Sequence, residues 1–129
     1  MPKLDDYLRI GVDSLKVEGR GKSPYYLATT ARAYRRAIDD YYEDPESWDH
    51  RPYMRELEMT GNRGYTLAFH EGRVTNYAHN YESTNSVASW EFGGILRSVT
   101  EDALIMEVKN KLRSGDVLEF IREFDHLQV

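Results

Sequence analysis

The sequence contains no cysteine. Disulfide bonds, thiolate nucleophiles, cysteine-ligated zinc and iron–sulfur clusters therefore cannot be built from this chain alone. Its histidines are also few and dispersed, without the spacing of a zinc-binding helix. No cofactor and no metal are expected in the chain itself.

Long hydrophobic runs are absent as well. The longest apolar stretches, such as Ala103 to Met106, fall far below the ~20 residues that a membrane-spanning helix needs. The first residues, Met1 to Asp6, lack the apolar centre of a signal peptide. We therefore expect a cytoplasmic protein without a membrane partner.

Positive charge is the minority charge, with 17 Lys and Arg against 22 Asp and Glu and a net charge of -5. Non-specific attraction to nucleic acids or anionic membranes relies on net positive charge, so the chain as a whole does not favour it. A local basic patch is still compatible with this composition.

The N-terminal part of the sequence predicts a β-α unit. A helical turn from Leu4 is followed by alternation over residues 12 to 17, which predicts a short strand. Ser23 can cap a helix whose first residue is Pro24, and a 3.6-residue apolar period predicts that this helix runs to Tyr42. A shorter helix is predicted over Tyr53 to Met59.

After Gly61, β-branched and aromatic residues come in short runs that are typical of antiparallel strands. The predicted strands are Gly64 to Phe69, Ser89 to Ser98, Ala103 to Asn110 and Asp116 to Arg122. Closing them into a small barrel would remove unpaired edges. The expected fold is α+β: an N-terminal β-α unit and helices over residues 1–59, then a small antiparallel β-barrel over residues 60–129.

One β-α unit cannot form a doubly wound sheet or an eightfold barrel by itself. Either it packs on the β-domain, or it is the last piece of a larger α/β barrel. If that barrel is missing, the exposed face of the unit would favour self-association.

Two segments resemble a known family. Residues 13–29, from Asp-Ser-Leu-Lys-Val-Glu-Gly-Arg to Tyr-Leu-Ala-Thr, and residues 33–39 resemble the signature of the collagenase-like peptidase family U32. Gly21 stands where that family usually has Met. Segments that resemble the family's C-terminal β-domain lie at residues 62–69, 80–83, 90–94 and 107–111, with Gly115 and Asp116.

The resemblance implies a TIM-like barrel followed by a small β-barrel, with Asp13 to Tyr42 as the last β-α unit of the first. It also implies one of two activities: degradation of collagen or other proteins, or oxygen-independent hydroxylation of RNA, including the wobble uridine of tRNA. In hydroxylase-type members, cysteines of the larger barrel would hold an iron–sulfur cluster. Without cysteine, this chain cannot hold one.

The first candidate site is the cluster Glu18, Arg20, Lys22 and Ser23, between the predicted strand and the long helix. In TIM-like barrels the loops at strand ends carry the active site. Two cations, a carboxylate and free helix N–H groups could bind an anionic substrate or an RNA phosphate. Alternatively, Ser23 only caps the helix and Glu18 pairs with Arg20 or Lys22.

The second candidate site is a basic and aromatic face on the β-domain, of a kind that barrel modules use to hold nucleic acid. A solvated loop would explain the same basic residues equally well. Its residues are Arg63, Tyr65, Lys109, Asn110, Lys111 and Arg113.

No protease motif or catalytic triad order is present. The sequence therefore predicts a C-terminal accessory and substrate-recognition domain of a U32 family protein that is not catalytic alone, with a tRNA or a peptide as the parent protein's substrate. The alternatives are an RNA-binding module of a tRNA or rRNA hydroxylase, and a peptide- or protein-interaction domain that uses aromatics such as Tyr81 and Trp90.

Overall fold

A computed structural model describes residues 1–70, 72–73 and 90–122, and the backbone of residues 126–128. The chain divides into two compact units, Met1–Trp90 and Glu91–Val129. Helices make up the first unit's regular structure and antiparallel strands the second's, so the fold class α+β is confirmed. The domain division at residues 59 and 60 stays a prediction. The described part of the chain holds no helix long and apolar enough to cross a bilayer.

Helix α2 spans Pro24–Glu43: it begins at the predicted residue and ends one residue after the predicted Tyr42. It begins where expected because the Ser23 hydroxyl accepts a hydrogen bond from the Tyr26 N–H at 3.2 Å. Pro24 loses no hydrogen bond at the first helical position. At the other end, Asp44 and Pro45 stop the helix, since Pro45 disfavours helical geometry in the residue before it.

Helices α1 (Leu4–Arg9) and α3 (Arg51–Glu58) pack with α2 around one small core. Ala33 and Ala37 of α2 are completely buried, and their small side chains allow the helices to approach closely. Helix α3 begins two residues before the predicted Tyr53 and ends one residue before Met59. The core residues are Leu4, Leu8, Ala33, Ala37, Tyr53 and Leu57.

Two predicted strands are wrong. Residues 12–17 have no regular structure, and no other described segment pairs with them. A strand needs a neighbour to complete its hydrogen bonds, and alternation of side chains does not provide one. In residues 64–69, local bonds replace a ladder: Asn62 Oδ1 accepts from the Gly64 N–H, and Thr66 Oγ1 from the Ala68 N–H.

The second unit contains two antiparallel strand pairs. Strand β1 (Gly94–Val99) pairs with β2 (Leu104–Val108), and a register shift between Leu96 and Ser98 marks a bulge. Strand β3 (Glu119–Ile121) pairs with β4 (His126–Gln128). Strands β2 and β3 lie within predicted strands, and β1 overlaps the one predicted over Ser89 to Ser98 but ends one residue later, at Val99. Residue 89 lies outside the described residues. Among those residues the sheets are two-stranded, and a closed barrel is not seen.

The β1–β2 hairpin is held by its turn and by one ion-pair group. The Thr100 N–H donates to the Ala103 carbonyl at 2.8 Å, which closes the turn predicted at Glu101 and Asp102. Arg97 Nε donates to Glu107 across the two strands at 2.9 Å. This pair adds an electrostatic contact to the backbone ladder.

Candidate nucleic-acid interface

A tight loop connects residues 12–17 to α2. The Glu18 carboxylate accepts the Arg20 backbone N–H at 2.7 Å, and the Lys22 N–H donates to the Gly19 carbonyl at 2.9 Å. Gly21 has a φ of +79°, which L-residues rarely adopt. This left-handed conformation suits glycine at the position where the family usually has Met.

Gly19 seats this loop directly against α2. A Cβ at Gly19 would lie 2.0 Å from Leu27 Cδ2, so a side chain there would require the Leu27 side chain to move. The loop therefore has a defined position at the start of α2, set by its own hydrogen bonds and by this close approach.

The structure brings the first candidate site together on this loop. Glu18, Arg20, Lys22 and Ser23 are neighbours, and all four are exposed. Ser23 caps the helix, which is the role that the sequence offers as the alternative to ligand binding. Among the described residues, however, Glu18 forms no ion pair with Arg20 or Lys22, because its carboxylate bonds to the backbone instead.

Three cations of this region have no carboxylate partner. Among residues 1–70, 72–73 and 90–122, no Asp or Glu oxygen lies within ion-pair distance of Lys16, Arg20 or Lys22. By contrast, all three arginines of α2 are paired. We call residues 16–23 the cationic loop.

An aromatic ring adjoins the cationic loop. The Lys22 ammonium lies 5.2 Å from the centroid of the Tyr26 ring, within the range of a cation–π contact. Tyr26 is partly exposed on the first turn of α2. Sequence reasoning did not select Tyr26, although its position four residues after Lys22 could have suggested the contact.

Tyr65, a residue of the second candidate site, lies near the same helix start. Its hydroxyl donates to the Leu57 carbonyl at 2.7 Å, and 46% of the residue is exposed. Burial raises the pKa of Tyr65, a hydrogen bond to Thr60 opposes this, and the nearby phenol of Tyr26 raises it further. Burial also raises the pKa of Tyr34, again with Tyr26 as a neighbour.

The remaining residues of the second candidate site are divided between the two units. Arg63 is exposed in the first unit, beside Tyr65 in sequence. In the second unit, the Asn110 side chain donates to the Phe92 carbonyl at 3.1 Å and the Arg113 N–H to Asp116 at 2.7 Å. Lys111 and Arg113 are exposed.

Lys109 contributes less free charge than its neighbours, because its ammonium pairs with Glu107. A hydrogen bond from Lys109, and then one from Arg97, lowers the pKa of Glu107 to about 2. At neutral pH the carboxylate therefore remains charged and offsets these cations. The second unit's part of the basic face carries less net positive charge than its sequence indicates.

A cavity of about 310 Å³ lies between the end of α2 and the start of α3, with acidic and aromatic walls. Three of its carboxylates are engaged locally: Tyr53 donates to Asp40, Ser47 to Asp44 and Arg51 to Asp49. Within the described residues, no group of three His, Asp or Glu side chains could hold a metal ion.

Two aromatic residues were predicted to serve a peptide-binding alternative. Trp90 is 36% exposed and lies before β1. Tyr81 lies outside the described residues. The contribution of this pair to a groove stays a prediction.

Comparison with known proteins identifies the family. The model of peptidase family U32 matches residues 1–80. The tRNA hydroxylation protein P1 of Bacillus subtilis is 32% identical over 98% of this chain and 31% of its own length. The tRNA hydroxylation protein P of Escherichia coli is 38% identical over 88% of this chain and 25% of its own length. The chain belongs to peptidase family U32.

Another relative carries a different name. A collagenase of Porphyromonas gingivalis is 35% identical over 62% of this chain and 23% of its own length. The chain thus spans less than a third of the length of each of these curated relatives. No solved structure matches the chain.

Proposed function

We propose that this chain is an accessory, substrate-recognising part of a U32 family protein and that its substrate is RNA. The observation that carries the proposal is the cationic loop, where Lys16, Arg20 and Lys22 have no carboxylate partner among the described residues, in a chain of net charge -5. The names of the Bacillus and Escherichia relatives support tRNA as the RNA.

The proposed contact is with phosphate groups. Lysine and arginine side chains neutralise phosphates and release bound counterions, which makes the affinity fall with salt. The cationic loop ends at the start of α2, where backbone N–H groups and the helix dipole add a weaker attraction for anions. The exposed Glu18 lowers this attraction locally, although its carboxylate accepts a hydrogen bond from the Arg20 N–H.

Catalysis is assigned to regions outside this chain. The described residues form no metal-binding group, and the sequence has no cysteine that could bind an iron–sulfur cluster. The residues present therefore do not fit such a cluster. The proposed role of the chain is to hold the substrate.

Fluorescence anisotropy with labelled tRNA tests the proposal. The chain is titrated at low and then at physiological salt, alongside the R20E/K22E variant. We expect micromolar binding that weakens with salt, and the variant's log–log salt slope should be smaller by roughly 1.4 to 1.8, since each lost phosphate contact removes about 0.7 to 0.9.

The matched control is R51E/R55E, which makes the same change in net charge at two exposed positions of α3, outside both candidate sites. If the control loses as much affinity as R20E/K22E, only overall charge matters and the assigned surface is wrong. A third variant, K109E, measures any contribution of the second unit. Absence of RNA binding at low salt would contradict the proposed function.

Peptide recognition is the second candidate, and a specific feature of the second unit favours it. Strands β1 and β2 expose Val99, Ile105 and Val108 to between 49% and 64%. A relative is named a collagenase. This candidate predicts that a collagen-like peptide binds with little salt dependence, and that V99S/V108S weakens this binding without affecting tRNA.

A further inference from the structure

The feature that carries a further inference is the contact between Lys22 and Tyr26. The ammonium lies 5.2 Å from the ring centroid, and the ring is partly exposed at the end of the cationic loop. A lysine held over an aromatic face marks that face as reachable from solvent and attractive to flat or cationic groups. Among the described residues, no carboxylate forms an ion pair with Lys22.

The position of Tyr26 is well defined. Its backbone N–H donates to the Ser23 hydroxyl, and the loop before it is seated against Leu27 through Gly19. The Tyr26 ring thus adjoins the cations of the loop, which have no carboxylate partner among the described residues.

This combination of a ring and cations has a known physical use. Proteins that bind single-stranded nucleic acid stack bases on aromatic side chains and track the phosphates with lysine and arginine. Bases in an RNA duplex are already stacked, and side chains cannot reach them in its deep and narrow major groove. Unpaired bases of loops and ends can leave the strand and stack on protein.

We propose that the Tyr26 ring stacks with an unpaired base of single-stranded RNA, while Lys22 leaves the ring and contacts the adjoining phosphate. This inference rests on the proposed function and goes beyond it, because it selects single-stranded over duplex RNA. Lys22 then has two positions: over Tyr26 in the free protein and on a phosphate in the complex. Arg20 supplies a second cation along the same strand.

The test compares labelled single-stranded RNA dodecamers with duplexes of the same sequence, titrated by anisotropy against the full chain. We expect the single strand to bind more tightly and Y26L to weaken its binding by about tenfold, the loss typical of one stacked base. Y26F keeps the ring and should bind like the wild type. The matched control is Y42L, which removes a tyrosine that is 65% exposed at the other end of α2.

A second readout reports stacking directly. A single-stranded RNA with one 2-aminopurine should lose fluorescence on binding the wild type and Y26F, but much less on binding Y26L at saturation. Far-UV circular dichroism of each variant checks that α2 is retained. If Y26L loses its fold, Y26S and Y26A serve in its place, and K22Q tests the Lys22 contact with phosphate: because it keeps the ring, it should weaken binding but leave the quenching.

The outcomes separate this inference from the proposed function. Equal binding of single strand and duplex, or unchanged affinity and quenching in Y26L, overturns base stacking on Tyr26. If R20E/K22E still weakens RNA binding in that case, the proposed function stands without it. If no RNA binds at low salt, both fail.

Discussion

The helices of the first unit and the cationic loop use charge in opposite ways. In the helices, Arg32 and Arg36 of α2 both pair with Glu56 of α3, which is only 6% exposed. In the cationic loop, Lys16, Arg20 and Lys22 face solvent without carboxylate partners among the described residues. The paired charges of the helices stabilise the fold, and the charges of the cationic loop are available to a ligand.

Burial explains the difference. A buried carboxylate must be paired, because an isolated charge in a poorly solvated interior costs several kcal/mol. An exposed cation is solvated by water and gains little from a partner. The pairing of Glu56 is therefore required by the fold, while the lack of partners in the cationic loop costs the fold little.

Removing the buried carboxylate should have the largest effect. Glu56→Gln leaves Arg32 and Arg36 without their shared negative charge in a buried position. Breaking such a pair from one side costs about 3 to 5 kcal/mol. Urea denaturation followed by far-UV circular dichroism should show a loss of this size.

The control for this variant is Glu58→Gln, an exposed carboxylate of the same helix that should change stability by less than about 0.5 kcal/mol. Equal losses in the two variants would show that the Glu56 pairs do not hold α2 and α3 together.

An intermediate effect is expected from the hydroxyl of Tyr53, which donates to Asp40. Tyr53→Phe removes this hydrogen bond and should cost about 1 kcal/mol near neutral pH. Burial, followed by the hydrogen bond and the charge of Asp40, raises the pKa of Tyr53 above its ordinary 10.0.

This raised pKa gives the second prediction a pH dependence. Tyr53 ionises first in the unfolded state, so its contribution is complete below pH 10.0 and falls as pH rises towards the folded-state pKa. The difference in free energy of unfolding between the wild type and Tyr53→Phe should therefore shrink as the pH rises above 10.0 in a series of denaturation experiments. A constant difference from neutral to alkaline pH would contradict the assignment.

The smallest effect on stability is expected in the cationic loop. Lys16→Gln and Arg20→Gln remove exposed charges without partners, so each should change the free energy of unfolding by less than about 0.5 kcal/mol. Thermal denaturation measures this directly. A large destabilisation would show that these cations serve the fold, and the contrast with Glu56 would disappear.

Much of the local structure could be predicted from the sequence. Ser23, Pro24 and the apolar period placed α2 correctly, because a capped amphipathic helix is encoded by residues close together in the chain. The turn at Glu101 and Asp102 and the strands on either side were also predicted. The cluster of Glu18, Arg20, Lys22 and Ser23 was found for the same reason, since its members are consecutive in one loop.

The predictions that were wrong depended on partners far away in the chain. Residues 12–17 alternate like a strand but have no pairing neighbour among the described residues, and residues 64–69 bond locally instead. The sharing of Glu56 by two arginines of another helix was not predicted, nor was the position of Tyr26 near Tyr65.

The sequence by itself determined the family, the long helix and its cap, and the absence of cysteine ligands. Each of these follows from residue identity or from short-range spacing. Tertiary structure alone decided which cations are neutralised, because Arg32 and Glu56 are 24 residues apart and meet only when α2 packs on α3. Which cations of the cationic loop lack a carboxylate partner among the described residues is known only from the folded structure, because ion pairing depends on distances in space.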